Sequence, residues 1–173
     1  CRELEWSILA TDVDVGALAD AREGRYGPRA VAGVPPAVLA RHFTERGGFF
    51  EFDPSLRARI TYRRLNLVEP RLDPPGAPFE LVFLRNVLIY FRPELQQRVV
   101  AAVERSLAPG GWLFLGPSES LLPLGSALTP RDLGGCFCYG PATRGAPAVQ
   151  GSRPAAAAGG APAIASQPRT TSS

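Results

Sequence analysis

The sequence has no lysine, no methionine, one histidine and three cysteines among 173 residues. Cys1, Cys136 and Cys138 with His42 give no zinc-ligand spacing, so a structural metal is not expected and the cysteines read as buried or incidental thiols. No apolar run reaches membrane-spanning length and no charged-then-apolar leader opens the chain, which leads us to expect a soluble, cytoplasmic protein without membrane insertion. The formal charge of +3 raises the question of nucleic acid. Arg144, Arg153 and Arg169 lie in an acid-free stretch, and removing them from the 19 basic residues leaves 16 against 16 acids. The body is neutral and carries no basic stripe, so a nucleic-acid partner is excluded. With every basic residue an arginine, the absence of lysine reads as coding bias. The start at Cys1, without a methionine anywhere, reads as a piece of a longer protein.

What is present is a series of strands that end in polar residues. Glu5–Asp12 reads as a strand ending in an acid, followed by a helix capped by Asp14, with Val15, Leu18 and Ala21 at helical spacing and Gly24 as its stop. In a nucleotide-binding sheet a carboxylate at that position accepts hydrogen bonds from ribose hydroxyls, although a plain turn residue fits as well. Val34–Phe43 reads as a short helix entered through prolines, and His42 has no partner visible in sequence. Gly47-Gly48, Phe49–Phe52, Asp53-Pro54 and Leu56–Asn66 read as a small antiparallel ribbon of two or three strands, inserted at about residues 44–64. Ile60–Leu65 reads as the return strand after the insert, ending at Asn66-Leu67.

Leu81–Leu84 reads as a buried strand with Arg85-Asn86 at its polar end, where ligands of open parallel sheets sit. Pro93 fits the first position of a helix with Leu95, Val99, Val103 and Leu107 on one side, ended by Ala108–Gly111. Trp112–Leu115 is the next buried strand, Leu121–Leu133 a loop or lid, and Cys136–Tyr139 a final strand. This order predicts one mostly parallel α/β sheet. Residues 141–173 are rich in Ala, Gly, Pro, Ser and Thr without periodicity, and are expected to be a disordered linker or tail.

Ala10–Asp14, Ala21–Tyr26, Asn66-Leu67, Pro78–Phe91, Leu107–Gly111 and Gly116-Pro-Ser-Glu-Ser120, in this order, resemble the CheR family of chemotaxis methyltransferases over roughly residues 5–140. The resemblance implies a Rossmann-like sheet with a β-subdomain and the cofactor S-adenosylmethionine. The implied activity is methylation of glutamate side chains on the cytoplasmic domain of chemoreceptors. It further implies that Asp12 holds the cofactor ribose, that Asn66 and Leu67 flank the adenine, that Arg85 and Asn86 line the reactive end, and that Tyr90 sits close to the transferred methyl. On this basis Tyr90 and Arg85 are the candidate catalytic residues. The sheet is expected to be incomplete, since no first strand and glycine-rich loop precede Glu5, and the tail is expected to lead toward another module, as in members fused to helical repeats. The alternative is a catalytically incomplete methyltransferase-like module that docks on a receptor or signalling partner.

Overall fold

The computed structural model describes residues 5–69, 74–133 and 137–141. The chain divides after Arg64 into two compact units, where length alone leads one to expect a single core.

The first unit runs β1 (Ile8–Asp12), α1 (Val15–Glu23), β2 (Arg25–Tyr26), α2 (Pro28–Val31), α3 (Pro36–His42), β3 (Phe43–Arg46), β4 (Phe49–Phe52), α4 (Pro54–Arg57) and β5 (Ile60–Arg64). The expected strand is three residues shorter at its start and ends at Asp12 as read. Asp14 caps α1 by accepting the Gly16 N–H at 2.7 Å, and Gly24 closes the helix in the left-handed conformation. α1 buries Leu18 and leaves Val15 exposed. Its Arg22 donates to the Tyr62 carbonyl at 2.9 Å and lies over the Tyr62 ring, which ties the helix to β5. Loss of the Asp14 cap should cost ~1 kcal/mol, so Asp14→Ala is expected to lower the unfolding midpoint modestly in chemical denaturation.

β1 and β5 form a parallel pair, from Ile8 opposite Ile60 to Asp12 opposite Arg64. This corrects the ribbon as read from sequence. Ile60–Arg64 does not pair with it, Leu56-Arg57 is helical, and the antiparallel sheet has the order β2-β4-β3, beginning at Arg25 and ending at Phe52. β3 and β4 are joined by Gly47-Gly48 with φ of 57° and 76°, the two consecutive left-handed residues a tight hairpin requires. Phe43 packs against Tyr26 and Phe52, with ring centroids 6.1 and 5.2 Å apart, so the ribbon is held by its own aromatic side chains.

The second unit contains β6 (Phe79–Leu84), a 3₁₀ turn at Leu88–Tyr90, α5 (Pro93–Ser106), β7 (Leu107–Leu115), a 3₁₀ turn at Leu122–Leu124, β8 (Leu128–Asp132) and β9 (Phe137–Pro141). Its sheet has the order β6-β7-β9-β8, with β6 and β7 parallel and the rest antiparallel. The buried cluster of Leu84, Leu88, Val99, Val100, Val103, Leu113, Leu121, Leu124 and Tyr139 lies wholly here. α5 supplies three of these residues, and Pro93 occupies its first turn as the spacing predicts. Leu107 does not continue the helix but opens β7, because its backbone is already extended.

Two further expectations are corrected. β6 is buried on one face only: Leu84 is in the core and Val82 packs against it, whereas Leu81 and Phe83 point the other way and are exposed. A four-residue apolar run does not distinguish a strand covered on both faces from one covered on one. The segment expected to be a loop or lid instead contributes Leu121 and Leu124 to the core and β8 to the sheet. Pro130 obscured that strand in the sequence. An edge strand tolerates proline because its missing N–H need not face a partner, and β8 is the edge next to β9. Cys138 is fully buried in β9, while Cys1, Cys136 and the tail beyond Pro141 lie outside the described residues.

Candidate functional site

Asp12 stands at the carboxyl end of β1 with its side chain exposed. Its Oδ1 accepts the Asp14 N–H at 2.9 Å, which shapes the turn into α1, and a carboxylate has acceptor capacity beyond this one bond. Asp14, two residues on, is committed to the helix cap. Both acids are exposed and each accepts the N–H two residues on; they differ in place, Asp12 ending β1 and Asp14 capping α1.

In the second unit, Asn66 opens a turn in which its Oδ1 accepts the Val68 N–H at 3.2 Å and its carbonyl accepts the Glu69 N–H at 3.2 Å. Arg98 of α5 donates to the Val68 carbonyl at 2.7 Å and so anchors this turn to the helix. Leu67, half-buried, packs against the hydrophobic cluster.

The segment after β6 is more heavily constrained. Arg85 and Asn86 are exposed, and Asn86 has φ 57°, a left-handed conformation that asparagine tolerates better than other non-glycine residues. The next residues form the 3₁₀ turn, with the Tyr90 N–H bonded to the Val87 carbonyl at 3.2 Å and the Tyr90 side chain 79% exposed. Glu119 accepts from four backbone N–H groups: Asn86 (2.7 Å) and Gly116 (2.7 Å) on Oε2, and Val87 (2.8 Å) and Leu88 (2.8 Å) on Oε1. Gln96 Nε2 in turn donates to the carbonyls of Leu88 (2.9 Å) and Phe91 (3.0 Å). Both N–H groups and carbonyls of the loop that carries Arg85, Asn86 and Tyr90 are therefore held by side chains from elsewhere in the unit. Gly116 belongs to this arrangement, since a Cβ there would meet Asn86 Oδ1, Glu119 Oε2 (2.8 Å) and the Asn86 nitrogen (2.9 Å).

Gly116-Pro-Ser-Glu-Ser120 was visible in the sequence as a motif, but nothing local reveals which groups its acid meets, because three of the four lie more than 30 residues earlier. Gln96 gave no signal either, as a polar residue on an amphipathic helix. Among the described residues, Tyr26 and Asp53 of the first unit have displaced acidity, and neither is among the predicted site residues. Burial pushes the Tyr26 phenol up, helped by Tyr62 and opposed by Arg57. Hydrogen bonds from the Ser55 hydroxyl and N–H hold the Asp53 carboxyl low, with smaller help from the Leu56 N–H and His42. Among the described residues no group of three His, Cys, Asp or Glu is placed to hold a metal, and no helix is long and apolar enough to cross a membrane.

Residues 2–129 match the protein family described as "CheR methyltransferase, SAM binding domain". The chain belongs to this family. As a CheR methyltransferase domain it has S-adenosylmethionine as its cofactor, and its mixed α/β sheets are those of a Rossmann-like fold. It is 39% identical over 116 residues to chemotaxis protein methyltransferase 1 of Pseudomonas aeruginosa, covering 66% of this chain and 42% of that protein. It is 41% identical over 115 residues to an uncharacterised 104.1 kDa protein of Rhodobacter capsulatus, covering 66% of this chain and 12% of that protein. It is 32% identical over 159 residues to the probable biofilm formation methyltransferase WspC of Pseudomonas aeruginosa, covering 92% of this chain and 37% of that protein. The chain spans less than half the length of these curated relatives.

Taken singly, each within its own unit, these groups have the chemistry that parts of the cofactor call for. An exposed carboxylate at a strand end matches a ribose diol, which can only donate to it. A side-chain amide held in a fixed turn matches the edge of an adenine, and a loop whose backbone donors are already occupied leaves its side chains to line a ligand.

Proposed function

We propose that the full-length protein transfers a methyl group from S-adenosylmethionine to glutamate side chains on the cytoplasmic domain of methyl-accepting chemoreceptors, acting in the cytoplasm. The observation that carries this reading is the doubly held loop Arg85–Phe91 at the end of β6, within a chain that belongs to the CheR family. In it Asp12 holds the ribose, Asn66 and Leu67 hold the adenine, Arg85 and Asn86 line the reactive end, and Tyr90 and Arg85 orient the reacting groups. When bound, the cofactor supplies a methyl already activated for displacement by its sulfonium.

A glutamate side chain is ionised at neutral pH, so the acceptor needs no general base. The protein's task is alignment. Holding the acceptor carboxylate in line and excluding water supplies ~7 kcal/mol or more of the barrier, which is the order a rigid loop can deliver and a mobile one cannot. Accordingly, Tyr90 and Arg85 position groups and move no proton.

A second reading keeps the methyl transfer and changes the acceptor. What supports it is that one relative, alike over 92% of the chain, is named for biofilm formation and not for chemotaxis. Incubating the full-length protein with radiolabelled S-adenosylmethionine and a lysate of its own cells, then mapping the label by mass spectrometry, separates the two. Label on receptor glutamates, released as methanol by alkali, is expected. Label confined to another protein would contradict the receptor reading, and a protein that binds no S-adenosyl ligand would favour a docking module instead.

A further inference from the structure

We infer that Glu119 is a positioning residue for the cofactor, acting through the backbone of the loop after β6. This rests on the proposal that Arg85 and Asn86 line the cofactor. A carboxylate is the one side chain that accepts on both oxygens without carrying a donor, and Glu119 spends both oxygens on four N–H groups within 2.8 Å. Three of these, on Asn86, Val87 and Leu88, are consecutive. Consecutive amides converge on one point only if the chain bends around it, and Asn86 supplies that bend with its φ of 57°. Without an acceptor at the centre, the three N–H groups would repel one another and compete for water or for the ligand itself. Glu119 thereby settles the direction of the Arg85 and Asn86 side chains before any cofactor arrives.

The geometry excludes simple replacement. Glutamine keeps one accepting oxygen and presents an NH₂ to two N–H donors, so Glu119→Gln loses half of the bonds and adds a repulsion. Gly116 lies against the same carboxylate because no larger residue fits there. A carboxylate with an ordinary structural task exists in the same unit for comparison: Glu104 accepts from the Ser126 hydroxyl and the Ala127 N–H at the other end of α5.

The test uses the full-length protein and S-adenosylhomocysteine as the probe, with Glu119→Gln and Glu104→Gln compared. In the ligand-free wild type, the amides of Asn86, Val87 and Leu88 should already be protected from exchange. In Glu119→Gln they should exchange at least tenfold faster, and the dissociation constant should rise at least tenfold. Glu104→Gln, at a comparable loss of unfolding midpoint, should leave both unchanged. Faster exchange with unaltered affinity would show a merely structural staple and overturn the inference, as would equal losses of affinity in the two variants. If Glu119→Gln fails to fold, Glu119→Asp, which keeps the charge and draws the acceptor back by one methylene, takes its place with the same two readouts: faster exchange together with weaker binding upholds the inference, and faster exchange with unaltered affinity overturns it. Affinity and exchange do not depend on the methyl acceptor, so failure of the receptor reading would show separately, as label on another protein.

Discussion

Replacing Asp12 with alanine in the full-length protein is expected to raise the dissociation constant of S-adenosylhomocysteine roughly ten- to hundredfold. That is the loss of about 1.5–3 kcal/mol from hydrogen bonds to a charged acceptor. The expectation follows from the placement of Asp12 at the end of β1, with its carboxylate exposed and one oxygen used by its own turn. The turn must be separated from the ligand contact, because alanine removes both. Asp12→Asn keeps an oxygen for the Asp14 N–H and loses the charge and half of the accepting capacity, so its affinity should fall between wild type and alanine while its unfolding midpoint stays near wild type. Asp14→Ala supplies the contrast: it loses stability through the cap and should bind the ligand almost normally. Calorimetric titration of the three variants measures this. Equal losses of affinity for Asp12→Ala and Asp14→Ala at matched stability would show that the carboxylates have been assigned wrongly.

Tyr90→Ala is expected to lower kcat for methyl transfer about a hundredfold, the scale of a misaligned reacting pair, with little change in cofactor affinity. Tyr90 stands on a 3₁₀ turn whose N–H and carbonyl groups are tied to Val87, Glu119 and Gln96, so its 79% exposed ring is presented from a fixed backbone. Since the role is placement of a ring, Tyr90→Phe should retain most of kcat. A loss as large as 10²–10⁴ in Tyr90→Phe would instead indicate proton transfer by the phenol and would contradict the alignment mechanism. Single-turnover kinetics with saturating cofactor and acceptor distinguishes these outcomes.

The features legible in sequence were those written in local chemistry. Asp14 and Gly24 bound α1 because a side-chain acceptor and a left-handed residue each act within a few positions. Pro93 and the spacing of Val99 and Val103 placed α5 for the same reason. Gly47-Gly48 marked a hairpin turn, but the turn alone could not say how far the ribbon extends, and β2 joins it from 23 residues before Phe49 through Tyr26 and Phe50. Ile60–Arg64 is legible as a strand, but its neighbour β1 and its separation from the ribbon are not, because alternation describes a face and not the neighbour across the hydrogen bonds. β8 was hidden by Pro130, which only its edge position makes acceptable. At the site, Arg85 and Asn86 were placed correctly at the end of a strand, whereas the grip of Glu119 on their backbone is a tertiary fact. A motif shows that its residues matter together and does not say what they touch.

The central claim is that the polar ends of these strands, and not the aromatic ribbon, hold the cofactor. Its most direct test is a titration of isotopically labelled full-length protein with S-adenosylhomocysteine, followed by backbone amide chemical shifts. The account predicts the largest shifts at Asp12, Asn66, Leu67 and Arg85 through Leu88, with Phe43–Phe52 nearly unmoved. Shifts concentrated in Phe43–Phe52, with those strand ends unchanged, would contradict it.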